Sequence, residues 1–175
     1  MTAFAKVFGV ILVVFSTSAY GIMLSRDLRS RLNELKEVKK IMFLLKGEIG
    51  FGRTPIFEAA GNISDRCRTL FKDILNTFAS MEQEARIKNI SEIWHDVFEN
   101  GLKSSHLALQ ERERLMSVGD IMGLMDTATQ QTAIDAYLTE IEESITSLEK
   151  ALPVKTRLYN SLGIMLGIII TIIIV

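Results

Sequence analysis

The sequence has little of what a chemical site is usually built from. It holds one cysteine, Cys67, so no disulfide can form within the chain. That suits a reducing compartment, although many exported domains also lack disulfides. The two histidines, His95 and His106, make no HExxH or comparable ligand spacing, so no zinc site is indicated. Only two prolines, Pro55 and Pro153, interrupt the 175 residues. A formal charge of −1 excludes the broad positive field that nucleic-acid binding needs. There is no sustained period-two alternation and no hairpin turn signal, which leaves strands without support. No nucleotide, kinase or phosphoacceptor motif is present.

Charge itself is missing from the two ends. Residues 7–25 and 158–175 contain no charged side chain, whereas the middle carries all 21 acidic and 19 of the 20 basic residues. Residues 158–175, LYNSLGIMLGIIITIIIV, form a helix of about 27 Å, close to the hydrocarbon thickness of a bilayer. The run Ile168–Val175 is apolar on every face, which a buried core helix does not require. The N-terminal run can be read as a cleavable signal, with Thr17 and Ala19 at the −3 and −1 positions, or as a retained span. Its length, the interfacial Tyr20 and the unbroken helical pattern past Ser25 favour retention.

Two spans put both termini on one side of the membrane. Arg26, Arg29 and Arg31 follow the first span, and Lys150, Lys155 and Arg157 precede the second. Positive-inside bias then predicts a cytoplasmic middle domain. The expected organisation is a transmembrane helix over 1–25, a cytoplasmic helical bundle over 26–157 and a transmembrane helix over 158–175.

Within the middle, helical spacing is pervasive. Leu28, Leu32, Leu35, Val38, Met42 and Leu45 form one stripe, closed by Gly47, Gly50 and Gly52. Thr54-Pro55 reads as an N-cap and first helical position, opening a short helix that stops near Gly61-Asn62. Ser64 or Asp65 opens a third helix with Cys67, Leu70, Phe71, Ile74, Leu75 and Phe78 on its apolar face. Ser91 opens a fourth, with Trp94 in the core, that ends at Asn100-Gly101. A fifth carries Leu109, Leu115, Val118 and Met122 and ends at Gly123. Asp126 or Thr127 caps the last, where Ile134, Leu138, Ile141, Ile145, Leu148 and Leu152 make a heptad seam suited to a long partner helix. Pro153 should bend the path toward the membrane. The expectation is an all-α fold: a six-helix bundle flanked by two transmembrane helices.

Candidate chemical groups have plain structural readings. Cys67 lies on an apolar face, where a thiol is inert. The glycine-rich stretch 47–54 lacks the GxxxxGK[ST] order of a phosphate loop and follows no strand. Glu111–Arg114 is a charge run on a solvated helix face. Gly163 and Gly167 allow close helix approach in a membrane, and Thr17 and Gly21 offer a matching small-residue face. No charged or histidine residue lies within the apolar ends, against an intramembrane enzyme. No cofactor or small-molecule substrate is indicated.

Three motifs carry a resemblance. Glu48-Ile49-Gly50-Phe51-Gly52-Arg53-Thr54-Pro55 is similar to an E-I-x-Y-G-x-T-P turn. Trp94 is followed by Met122-Gly123-x-x-Asp126-x-x-x-Gln130-Gln131, similar to L-G-x-x-D-x-x-x-Q-Q. Tyr159-x-Ser161-Leu162-Gly163-x-x-x-Gly167 leads into the last apolar run. Together they resemble the stage III sporulation protein AB family of endospore-forming bacteria, over essentially the whole chain. Phe51 and Met122 depart from that pattern, where tyrosine and leucine are usual.

The resemblance implies a fold like the cytoplasmic domain of type II secretion F proteins. It also implies a place in the mother-cell membrane around the forespore. There the chain would be a non-enzymatic platform for a secretion-type ATPase, stage III sporulation protein AA-like, and other subunits of the same apparatus. Glu48, Gly52, Arg53, Thr54, Pro55, Asp126, Gln130 and Gln131 are the candidate docking residues, and self-association is left open. The competing reading is a helical membrane sensor or signalling module, which long heptad helices beside spans also suit.

Overall fold

The computed structural model describes residues 2–50, 54–123 and 126–174. Among these are six α-helices and no strands: α1 (Thr2–Gly50), α2 (Ile56–Ser64), α3 (Thr69–Ser80), α4 (Ile90–Gly101), α5 (Leu109–Met122) and α6 (Thr127–Ile174). Short 3-10 turns, Met81–Arg86 and Leu102–Ser104, follow α3 and α4. The chain forms two compact units, Asn33–Ile145 and the paired ends Met1–Leu32 with Thr146–Val175.

The core of the Asn33–Ile145 unit follows the apolar stripes. Leu35, Val38, Met42 and Leu45 of α1 are buried, as are Ile134, Ile141 and Ile145 of α6. These side chains fall three or four apart, so each helix removes one continuous face from water. Charge pairs brace the same two helices in antiparallel order. Lys46 Nζ lies 2.6 Å from Asp135, and Lys39 pairs with Glu142. Helix α2 packs on α3, α3 on α4 and α4 on α5.

At the centre sits Trp94, fully enclosed. Its ring stacks on Phe98 at 4.0 Å and meets Phe78 edge-on at 5.2 Å, and Phe78 stacks on Phe57 at 4.7 Å. The indole N–H donates to the Leu115 carbonyl at 3.1 Å, so the one polar atom of the ring is satisfied. Gly119 of α5 lies against the ring, where a Cβ would stand 2.3 Å from Trp94 Cδ1.

Helix α1 runs unbroken past Ser25, as the sequence reading had it, and α6 continues through Pro153. Several other boundaries differ from that reading. Gly47 lies inside α1, which ends at Gly50. Helix α2 passes Gly61 and Asn62 and ends at Ser64. A Cβ on Gly61 would meet Ala79 Cβ at 3.6 Å, an ordinary contact, so the helix passes this glycine without needing it. Pro55 takes the N-cap position of α2, with φ −55° and ψ 145°, instead of the first helical turn. Cys67 falls in the turn between α2 and α3, with Arg68 at the start of α3, so it does not belong to an apolar helical face. Asn89, not Ser91, caps α4, its side-chain oxygen accepting from Ser91 N. Leu109 opens α5 but is 71% exposed.

The paired ends make the second unit. A Cβ at Gly163 would stand 2.7 Å from the Thr17 carbonyl oxygen, and one at Gly167 3.0 Å from Val14 Cα. At Gly21 it would stand 2.5 Å from the Tyr159 carbonyl oxygen. Glycine at these three positions is what allows backbone to meet backbone. Ser25 Oγ bonds Asn160 Oδ1 at 3.1 Å beside this contact. On the outward faces, Phe8, Ile11, Phe15, Met165, Ile169 and Ile172 are exposed. Over Ile11–Gly50, α1 contains a stretch long and apolar enough to cross a membrane.

Candidate docking site

The two bundle motifs singled out in the sequence meet at one end of the Asn33–Ile145 unit. The Gln131 side chain lies against the Cα of Gly50, where a Cβ would stand 1.8 Å from its Nε2. This joins the end of α1 to the first turn of α6.

On the α1 side, Thr54 comes back against Glu48 near the end of α1. Thr54 N donates to the Glu48 carbonyl at 3.2 Å, and Thr54 Oγ1 reaches Glu48 Oε2 at 3.4 Å. Asn62 Nδ2 approaches the same carboxylate oxygen at 3.5 Å. Glu48 thus ties α1 to both ends of the following turn and helix. Pro55 is exposed and its carbonyl accepts from Ala59 N at 2.8 Å. Gly52 and Arg53 lie outside the described residues.

On the α6 side, Asp126 is the expected cap. It accepts from Ala128 N at 3.3 Å, from Thr129 N at 3.0 Å and from the Thr129 hydroxyl. The Thr129 hydroxyl, followed by the two backbone N–H groups, holds the Asp126 carboxyl below its ordinary range. Gln130 Nε2 donates to the Met122 carbonyl at 3.0 Å, which fastens the end of α5 to the start of α6. Glu48, Thr54, Asp126, Gln130 and Gln131 therefore all have structural tasks, and among the described candidates Asp126 and Pro55 are the exposed ones.

The remaining candidates are dispersed. The Cys67 thiol donates to the Ile63 carbonyl at 3.3 Å and is half-buried. Burial, and then the Glu37 charge, push its pKa up, away from a reactive thiolate. His95 Nε2 and Ser91 Oγ both reach Asp120 Oδ1, at 3.0 and 2.6 Å. The carboxylate stands between the other two groups, so the histidine is not placed to take the serine proton. Glu34 grips the turn before α5, accepting from His106 N and contacting its ring, both at 2.7 Å. In the charge run, Glu111 accepts from Ala108 N at 2.7 Å and Arg112 donates to the Leu107 and Ser105 carbonyls. These are caps and clasps that a simple solvated face does not have. Among the described residues no group of three or more histidine, cysteine or acidic side chains is placed to hold a metal.

Known proteins agree on the family. The family model described as stage III sporulation protein AB matches residues 6–175. A curated relative, stage III sporulation protein AB of Bacillus subtilis strain 168, is 24% identical over 172 residues, covering 94% of this chain and 96% of its own length. A solved structure of a stage III sporulation protein AB superposes with a TM-score of 0.64 at 22% identity. It covers 71% of this chain and 97% of that one, a likeness of fold. The chain belongs to the stage III sporulation protein AB family and is a sporulation protein.

Proposed function

We propose that the chain is a non-enzymatic platform, anchored by two membrane helices, whose cytoplasmic bundle docks a secretion-type ATPase of the sporulation apparatus. The observation that carries the anchoring is the outer surface of the paired ends, where large apolar side chains such as Phe15 and Ile172 face outward. Water disfavours such a surface and lipid does not. The hydroxyls in these segments fit the same reading. Ser16, Thr17 and Thr171 donate to carbonyls one turn back, at 2.8, 3.1 and 2.8 Å, so they need no water. Flanking arginines and lysines favour a cytoplasmic bundle. The likeness to the cytoplasmic domain of type II secretion F proteins belongs to this reading and suits a docking role.

Docking is assigned to the end where Gly50 meets Gln131, with Arg53, Pro55 and Asp126 as its contact residues. The chain sits in the mother-cell membrane around the forespore, and the partner is a cytosolic ATPase resembling stage III sporulation protein AA. A pull-down of that ATPase by the full chain in mild detergent tests the assignment. Arg53→Glu is expected to weaken capture roughly tenfold, the scale of a single interface anchor. Capture at the wild-type level would mean that the turn serves the fold alone. Labelling of a cysteine placed at Ser104, exposed in the turn after Gly101, in a Cys67→Ser background tests topology: protection in intact cells is expected, and labelling from outside would favour a sensor facing the other way.

A further inference from the structure

Where the charged part of α6 gives way to its apolar end, an open groove of about 780 Å³ lies against the first helix. Arg29 and Arg157 border it, and neither makes a hydrogen bond or ion pair among the described residues. No carboxylate lines it. The Thr156 hydroxyl, also at its border, is enclosed and has no partner. Asn160 joins them, its Oδ1 occupied by Ser25 and its amide N–H group left over. Leu152, Pro153 and Ile164 form the apolar part of the wall. Unpaired guanidiniums and spare donors over an apolar wall match a phosphate joined to an acyl chain.

We propose that this groove binds the headgroup phosphate of an anionic phospholipid. Arg29 and Arg157 flank the phosphate, Thr156 and Asn160 supply neutral hydrogen bonds, and Leu152 and Ile164 cover the first carbons of the chain. The assignment rests on the membrane reading above. Its location supplies the charge complementarity: the two arginines stand at the edge of the segment that enters lipid, where anionic headgroups lie.

Native mass spectrometry of the full chain in mild detergent, titrated with phosphatidylglycerol or phosphatidylcholine, tests it. Wild type is expected to retain phosphatidylglycerol selectively, and Arg29→Gln with Arg157→Gln to weaken that retention roughly tenfold or more. Lys150→Gln with Lys155→Gln removes equal charge off the groove and is expected to leave retention near wild type. Equal loss in both double variants, or loss in neither, overturns the proposal. So does displacement of the lipid by inorganic phosphate alone at millimolar concentration, which would make free phosphate the occupant. Flotation with phosphatidylcholine vesicles separates the two readings. A chain that fails to float sinks the anchoring, whereas one that floats but shows no headgroup preference sinks only the groove.

Discussion

Gln131 lays its amide over the Cα of Gly50, with the nearest atom 1.8 Å and the next 3.0 Å from where a Cβ would sit. The clash involves only the far end of a flexible side chain, so the amide can swing aside. At Gly119 the neighbour is instead the buried Trp94 ring, held by Phe78 and Phe98. Gly50→Ala should therefore cost under about 1 kcal/mol and Gly119→Ala about 1–3 kcal/mol, the range of core overpacking. Thermal melts followed by circular dichroism in detergent check the order, and a larger loss at Gly50 would contradict it.

Legibility in the sequence followed the range of the interaction. The stripe from Leu28 to Leu45 and the seam from Ile134 to Leu152 are set by helical period, and most of their members are buried as read, with Leu28, Leu138 and Leu152 half-buried. The Asp126 cap is equally local. Gly61-Asn62 misled because a glycine permits a helix to stop without forcing it to, and α2 runs on to Ser64. Cys67 shared the spacing of an apolar face although the helix after it begins only at Thr69, capped by Arg68. Gly119 gave no local sign, since its reason is a ring on another helix. The docking motifs were visible as residue patterns, but the contact of Gly50 with Gln131 needs the folded chain. Arg29, Thr156 and Arg157 belong to one groove only once two helices lie side by side.

Asp126 makes the start of α6 sensitive to acid. Its folded-state pKa lies below the usual 3.8, because the Thr129 hydroxyl and two backbone N–H groups bond the charged form. Its contribution is complete above that usual value and is lost as pH falls through the lowered one. Asp126→Ala should lower the melting temperature by a few degrees at neutral pH, while Asp126→Asn, still a good cap, should retain most of it. Equal losses in the two variants would point to charge instead of capping.

Close approach of the end helices depends on Gly163 and Gly167. Replacing both with leucine should force α1 and α6 apart by several ångströms, because the atoms in the way are the Thr17 and Val14 backbone. Spin labels at the exposed positions Phe15 and Ile169, in lipid nanodiscs, read that distance by double electron–electron resonance. An unchanged distance distribution would show that the glycines are not what sets the spacing.

The Cys67 thiol is held protonated by burial and by the Glu37 carboxylate. Its alkylation by N-ethylmaleimide should be slower than that of a free thiol at pH 8, and the rate should go on rising beyond pH 9.0, the ordinary thiol value. Glu37→Gln should move that inflection downward. A rate matching free cysteine in the wild type would contradict the shielding.

Trp94 is the sole tryptophan of the chain and sits where α3, α4 and α5 converge. The one indole of the chain thus stands at the middle of the bundle and can be excited apart from the three tyrosines. Its emission should be blue-shifted and shielded from iodide when the core is intact, and should redden the moment the helices part. Binding of an ATPase or a lipid can then be followed without labels, separating ligands that merely touch the surface from those that loosen the interior.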